Sequence, residues 1–189
     1  MDNVVEIEFT EELLEQWTKE YFKKHPKSKK KPIKDSKHPS INIWSIMRRP
    51  MMNVLKQNWA NFVEFVVDYY GYRDLGISHC KCKYIVYKAT SRRSDVDNIT
   101  PKFIMDGLSA EHSGVIVDDS SDCIEELTLK IEYRKGQTGS KIIFYDCEFD
   151  EELLHETAIK EMAKSKKREE TLKQNKLKKK TKEGNKKSE

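Results

Sequence analysis

An apolar pattern after Pro50 is the feature that most constrains how this chain can fold. The apolar residues recur every three or four positions, which places them on one face of a helix: Leu55, Trp59, Phe62, Val63, Val66 and Tyr70. Gly71 supplies the stop, because glycine readily adopts the left-handed conformation that ends helices. Met51 and Met52, near the helix start, are expected in the core. A helix with one apolar face needs other elements to cover that face.

Other segments alternate apolar and polar residues, which is typical of half-buried β-strands. The predicted strands cover residues 4–9, 81–89, 124–133 and 141–149, with a short apolar strand at 115–117. Thr10 is expected to cap one helix, and Thr100 with Pro101 to begin another. Residues 135–139 read as a hairpin turn between the last two strands. The pattern predicts an α/β (α+β) fold, in which helices pack on a mixed β-sheet.

Charge is distributed unevenly along the 189 residues, although the net charge is only +4. Residues 23–37 hold eight lysines and one acidic residue, and residues 160–189 hold thirteen Lys or Arg and five acidic residues. The rest of the chain is therefore acidic. We predict four segments: an N-terminal strand and helix (1–22), a mobile lysine-rich connector (23–38), one folded domain (39–157) and a basic helical or disordered tail (158–189). An acidic body suits a carboxylate metal site with basic arms that attract phosphate, although lysine runs are also commonly just solvated tails.

Several classes of protein are not expected from this sequence. It shows no signal-peptide pattern and no apolar run of the roughly 20 residues that span a bilayer, so we expect a cytoplasmic protein without membrane insertion. It has neither a phosphate-binding loop nor a dinucleotide fingerprint, so no nucleotide cofactor is expected. The four cysteines include one close pair, Cys80 and Cys82, whose spacing is unusual for zinc. We expect reduced cysteines packed in strands.

Two acidic groups are candidates for chemistry. Asp95 and Asp97 would project to one side if they ended a strand, and residues 118–119 supply a second carboxylate pair after an apolar strand. Carboxylates gathered in one pocket repel each other, and a divalent cation relieves that repulsion. Magnesium, or manganese, is the natural choice for hard oxygen ligands. The ordinary alternatives are a turn with side chains bonded to backbone, and a surface ion pair between Lys102 and Asp106.

The order of these motifs carries a resemblance. The segments concerned are Pro39-Ser40-x-Asn42, Arg92-Arg93-Ser94-Asp95-Val96-Asp97-Asn98, Lys102, Asp106-Gly107-Leu108 and Gly114-Val115-Ile116-Val117-Asp118-Asp119. Together they resemble the RusA family of Holliday junction resolvases, closely over residues 92–119 and more loosely over 39–149. The resemblance implies that residues 39–157 form a RusA-like nuclease domain. It also implies a homodimeric, Mg²⁺-dependent endonuclease, bacterial or phage-encoded, that cuts four-way DNA junctions.

The resemblance also assigns roles to individual residues. Metal binding falls to Asp95, Asp97 and Asp119. DNA contact falls to Arg92, Arg93 and Asn98. Lys102 matches the catalytic lysine, which would stabilise negative charge at the phosphate, but it follows Asn98 by four positions where the family usually has three.

Other functions are compatible with the same residues. One is a non-catalytic protein of this fold that binds branched DNA. A second is a nuclease for flaps or other branched DNA. A third is an RNA-binding accessory protein with lysine tails, for which Asp119 would have no special role.

Overall fold

The helix predicted after Pro50 packs its buried face in the core of a domain built on a four-stranded sheet. In the computed structural model, which describes residues 3–185, the elements follow one another as β1 (Val5–Thr10), α1 (Glu11–Lys24), α2 (Ile41–Trp44), α3 (Arg49–Tyr70), β2 (Ile77–Lys88), α4 (Lys102–Leu108), β3 (Ile124–Tyr133), β4 (Gly139–Phe149) and α5 (Glu151–Asn185). A 3-10 turn covers Val96–Asn98. The predictions for residues 1–2 and 186–189 lie outside the described residues.

The sheet is mixed, and its strand order is β1-β4-β2-β3. β4 pairs antiparallel with both β1 and β2, whereas β2 and β3 run parallel. Parallel neighbours need a crossover, and the chain between β2 and β3 provides it through α4. The predicted mixed sheet with packed helices is confirmed, and the fold is α+β.

The predicted hairpin between the last two strands is wrong. β3 and β4 are not neighbours, because β2 lies between them. The reason is visible in burial: β2 is buried at four consecutive positions, 84–87, as a strand covered on both faces must be. β3 leaves Leu127 and Tyr133 exposed and occupies an edge. Residues 135–139 therefore carry the chain past the end of β2.

The predicted start of α1 after Thr10 and the predicted end of α3 at Gly71 are confirmed. The Thr10 hydroxyl accepts a hydrogen bond from the Leu13 N–H at 3.2 Å, and Gly71 ends α3 with a φ of 71°. The prediction for Met51 is wrong, because its side chain is 62% exposed. The fully buried side chains of α3 begin at Trp59, and in the earlier turns Met52 and Leu55 are partly buried against the core.

The short strand predicted at 115–117 is reduced to one parallel bridge, between Ile116 and Ile77. Its two hydrogen bonds join the Ile77 N–H to the Val115 carbonyl and the Val117 N–H to the Ile77 carbonyl, both at 2.9 Å. All three residues of the segment are buried. The segment is therefore fixed in the core, and it sets the position of Asp118 and Asp119, which follow it.

The lysine-rich connector was expected to be a mobile arm, but it contributes to the core. Ile33, Ser36 and His38 are buried. The Ser36 N–H and hydroxyl both donate to the Glu11 carboxylate, at 3.0 and 2.8 Å, which ties the connector to the first turn of α1. Its lysines can thus be held at fixed places on the surface.

The final helix, α5, has few contacts with the body. Among its described side chains only Leu154 is buried, and the Asp150 carboxylate accepts from the Leu153 N–H at its start. Of the two forms expected for the tail beyond residue 158, helical or disordered, the structure has a helix as far as Asn185. Of the helices in the described part of the chain, none is long and apolar enough to cross a membrane.

Close packing of α4 on α3 depends on Gly107. A Cβ built at Gly107 would lie 2.8 Å from the Cβ of Val63, nearer than side-chain carbons approach each other. Ile104 and Leu108, on the same helix as Gly107, are fully buried. The absence of a side chain at this position therefore sets the distance between the two helices.

Gly107→Ala is expected to destabilise the fold. Alanine favours helix by about 1 kcal/mol over glycine, but overpacking a filled core costs about 1–3 kcal/mol, so the net effect should be a loss of stability. Urea unfolding followed by circular dichroism measures the difference. Val63→Ala in the same chain should recover part of the loss, and a stabilised Gly107→Ala protein would contradict the packing argument.

Candidate nucleic-acid interface

His38 joins the connector to α3 and α4. Its ring lies between those of Trp59 and Phe103, with centroid distances of 5.5 and 4.7 Å. Its Nδ1–H donates to the Pro39 carbonyl at 2.7 Å, and its Nε2 accepts from the Phe103 N–H at 2.9 Å. These two bonds require the neutral imidazole, since a protonated Nε2 has no lone pair with which to accept.

The bond to Phe103 also explains how α4 begins. Thr100 was expected to cap this helix, but the capping position is held by Pro101, which has no hydrogen-bonding side chain. The first backbone N–H groups of a helix lack partners within it. The imidazole of His38 supplies one from a distant part of the chain, so the predicted local cap is replaced by a tertiary one.

A cleft of about 670 Å³ opens beside His38. Its walls are formed by the connector, α2, the first half of α3, the ends of β2 and β3 and the loop before α4. It brings together two segments that lie far apart in sequence: Ser40 and Asn42 on one side, and Asp95 and Asn98 on the other. Two of the sequence motifs therefore line one surface.

Asp95 and Asp97 do not stand at a strand end, so the condition under which both would project to one side is not met. β2 ends at Lys88, and the chain continues irregularly to the 3-10 turn. In this turn the Ile99 N–H bonds to the Val96 carbonyl at 3.1 Å, so the two-residue alternation of a strand does not apply. Both carboxylates are exposed, and of the two only Asp95 is among the cleft residues.

The predicted DNA-binding residues of this loop lie at the surface. Arg92 and Arg93 are exposed, and Asn98 is half-buried. The Lys88 ammonium, at the end of β2, donates to the Arg92 carbonyl and to the Ser94 hydroxyl. These contacts hold the backbone of the loop near the sheet and leave both guanidinium groups exposed.

Lys102 lies between two carboxylates. Its Nζ is 2.9 Å from Asp106 Oδ1 and 2.6 Å from Asp119 Oδ2, while Lys56 Nζ lies 3.1 Å from the other oxygen of Asp106. The result is a row of alternating charges across α3, α4 and the end of the 115–119 segment. Partial burial lowers the pKa of Lys102, but the hydrogen bonds to Asp106 and Asp119 outweigh it and leave the pKa above its ordinary value.

The predicted metal ligands are only partly brought together. Asp119 is paired with Lys102, whereas Asp95 lies at the cleft. Among the side chains that the structure describes, no group of three or more His, Cys, Asp or Glu is placed to hold a metal ion. Carboxylate oxygens are the ligands that magnesium prefers, so the donor chemistry of Asp95, Asp97 and Asp119 fits the ion, while the structure does not gather the three side chains into one group. The ion pair between Lys102 and Asp106, the ordinary alternative, is present.

The cysteines match the expectation of reduced, packed thiols. All four are free and buried. Burial raises the pKa of Cys82 to about 12 and that of Cys147 to about 11. These two groups are therefore neutral thiols near neutral pH, which makes them poor metal ligands and poor nucleophiles.

Three residues of the interface were missed by the sequence analysis: His38, Lys56 and Trp59 in its role as a cleft residue. His38 directly precedes the Pro39-Ser40-x-Asn42 element, which is the one signal that would have drawn attention to it. Lys56 and Trp59 lie on a helix whose pattern indicates only burial and exposure. Their positions at the interface follow from tertiary packing.

Comparison with known proteins does not assign a family. Neither the protein-family models nor the curated proteins include a match to this chain.

The neutrality of His38 predicts a pH-dependent stability. Burial lowers the pKa of His38 to about 4, whereas an unfolded histidine titrates near 6.5. Between these values the unfolded chain binds more protons, so stability is complete above about pH 6.5 and falls as the pH falls towards 4. The free energy of unfolding should decrease by about 2 kcal/mol from pH 7 to pH 5 through this residue alone.

Urea unfolding of wild type and His38→Phe at the two pH values measures this contribution. The variant should be less stable at pH 7, because the Phe103 N–H loses its partner, and should lose less stability at pH 5. His155→Gln, at an exposed position of α5, is the control and should follow wild type. An equal pH dependence in wild type and His38→Phe would contradict the prediction.

Proposed function

We propose that this protein recognises branched DNA and acts on it as a magnesium-dependent endonuclease of the RusA type, with the four-way junction as substrate. The observation that carries the proposal is the cleft that joins Ser40 and Asn42 to Asp95 and Asn98. These residues belong to two of the motifs that resemble the RusA family. Their shared surface supports a common role for segments about 50 residues apart.

The charge around the cleft favours a nucleic-acid partner. Lys31, Lys34, Lys37 and Lys88 line it, against two acidic residues, Asp35 and Asp95. Lys37 is paired with Asp35 at 3.1 Å. Lysines on a surface of this kind attract the phosphate backbone and release its counterions on binding. Arg92 and Arg93, exposed on the neighbouring loop, extend the basic surface.

In the proposed enzyme Asp95, Asp97 and Asp119 would hold the magnesium ion, and Lys102 would neutralise charge at the phosphate. A bound magnesium ion would polarise a phosphate oxygen and promote ionisation of water. The chain would then act as a homodimer, since two-fold symmetry matches a four-way junction with paired sites. The exposed loop that carries Asp95 and Asp97 is the element that would have to approach Asp119.

A second candidate is a non-catalytic protein that binds branched DNA with the same cleft. One specific observation favours it: Asp119 already has a cation partner in Lys102, and the described side chains form no metal-binding group. This candidate shares the proposed DNA surface and differs only in the chemistry. A cleavage assay separates the two.

Cleavage of a synthetic four-way junction with magnesium tests the enzyme. Wild type should cut the junction. Asp97→Asn and Asp119→Asn should each lower the cleavage rate by more than the roughly 10–100-fold that follows mutation of a group that merely supports a metal ligand. Binding of the junction by Asp97→Asn should persist or improve, because a negative charge near phosphate is removed.

Asp118→Asn is the matched control, since it neutralises the residue next to Asp119 and keeps the hydrogen bond that Asp118 accepts from the Asp119 N–H. It should cut like wild type. Cleavage retained by Asp97→Asn would overturn the assignment of the site. Binding without cleavage by wild type would support the second candidate, and a panel with flaps and linear duplex would identify a different nuclease substrate.

Salt dependence tests the lysine surface independently of cleavage. Lys31→Ala with Lys34→Ala removes two cleft cations, and each lost phosphate contact should lower the slope of log affinity against log salt by roughly 0.9. A decrease of about 2 in the slope is expected, measured by fluorescence anisotropy with a labelled junction. Lys19→Ala with Lys83→Ala, outside the cleft, should leave the slope unchanged, and equal slopes for both double variants would contradict the proposed surface.

A further inference from the structure

We propose that the cleft beside His38 receives a single nucleotide of a DNA strand, with the base extruded into the apolar interior and its phosphate held by the lysine rim. The inference rests on the proposed function, because it names the part of the DNA that this surface recognises. It goes beyond that function in assigning a base-binding site.

The shape and lining of the cleft suit a nucleobase. Its volume of about 670 Å³ lies within the roughly 300–1,000 Å³ typical of small-ligand sites. Its interior is formed mainly by apolar side chains, among them Ile33, Trp59, Val86, Ile99 and Ile131. Such walls suit the flat faces of a nucleobase, which gain from contact with aromatic and apolar side chains once the base leaves its stack.

Polar side chains surround the apolar interior of the cleft. Lys31 and Lys34 line the cleft and are exposed, so they stand at its rim, where a phosphate attached to an inserted base would lie. The side-chain amides of Asn42 and Asn98 also line the cleft and offer both donors and acceptors to the edge of a base. An apolar interior with a cationic rim therefore fits a nucleotide better than it fits an uncharged apolar ligand.

Branched DNA supplies such a nucleotide most easily. Extrusion requires the loss of stacking and pairing, and this cost is smallest for a base that is already poorly paired. Bases at the crossover of a junction have an interrupted stack, whereas bases inside a linear duplex do not. The cleft would therefore add shape selectivity to an otherwise sequence-independent grip on phosphates.

Substitution of single nucleotides by abasic residues tests the inference. Four-way junctions with one abasic residue at each crossover position are titrated with full-length wild type in calcium, which avoids cleavage, and binding is measured by anisotropy. At one or more crossover positions the abasic residue should weaken binding about tenfold, whereas abasic residues within the arms should have no effect.

Two variants on the same face of β3 show whether the cleft is responsible. Ile131→Trp fills the cleft, so it should bind the intact junction about tenfold more weakly and show no further loss with the abasic junctions. Leu127→Trp, four residues earlier and outside the cleft, should behave like wild type. Equal sensitivity of Ile131→Trp and wild type to the abasic residue would overturn the inference.

Competition experiments show whether the cleft binds free nucleotides or strand-bound ones. They also distinguish failure of the base site from failure of the proposed function. Deoxynucleoside monophosphates and a single-stranded oligonucleotide are titrated as competitors. Competition by monophosphates with no abasic effect would overturn a site for strand-bound nucleotides. Tight junction binding with no abasic effect would overturn the base site and leave the proposed function standing, and absence of binding to junction and single strand alike would overturn both.

Discussion

The buried imidazole of His38 is the interaction on which the candidate interface depends. It packs against Trp59 of α3 and Phe103 of α4 and bonds to the backbone on both sides, at Pro39 and Phe103. Buried Ile33 and the hydrogen bonds of Ser36 to Glu11 hold the middle of the connector, and His38 holds its end. Because His38 fixes its end, the polar residues after it lie opposite the loop that contains Asp95.

The same interaction positions Lys102. α4 starts where His38 caps it, and its first residue points an ammonium at Asp119. Gly107 then allows the helix to lie close to Val63 of α3, which brings Lys56 to the other oxygen of Asp106. One short helix thus links the cleft with the row of alternating charges, although it is only seven residues long.

The sequence predicted the elements better than their assembly. Periodicity located α3, its glycine stop, the Thr10 cap and the strands, because each of these depends on neighbours along the chain. It misplaced β3 beside β4, since strand order depends on which strand is buried on both faces. The site shows the same division: the resemblance implied one site for Lys102 and Asp119, and the two side chains are paired although the spacing of Lys102 departs from the family, whereas the cap of α4 comes from a residue 65 positions away.

The position of Lys102 bears on how binding and chemistry relate in this protein. An ammonium between two carboxylates satisfies them without a metal, so Asp119 is electrostatically stable as it stands. Asp95 and Asp97 are exposed instead, on a loop tied to the sheet through Lys88. DNA held on the lysine rim would bring phosphate charge close to these two aspartates, and only a cation would relieve the repulsion. In the proposed enzyme, DNA binding itself would therefore favour metal binding, whereas in a protein that only binds DNA, Asp95 and Asp97 would weaken the complex.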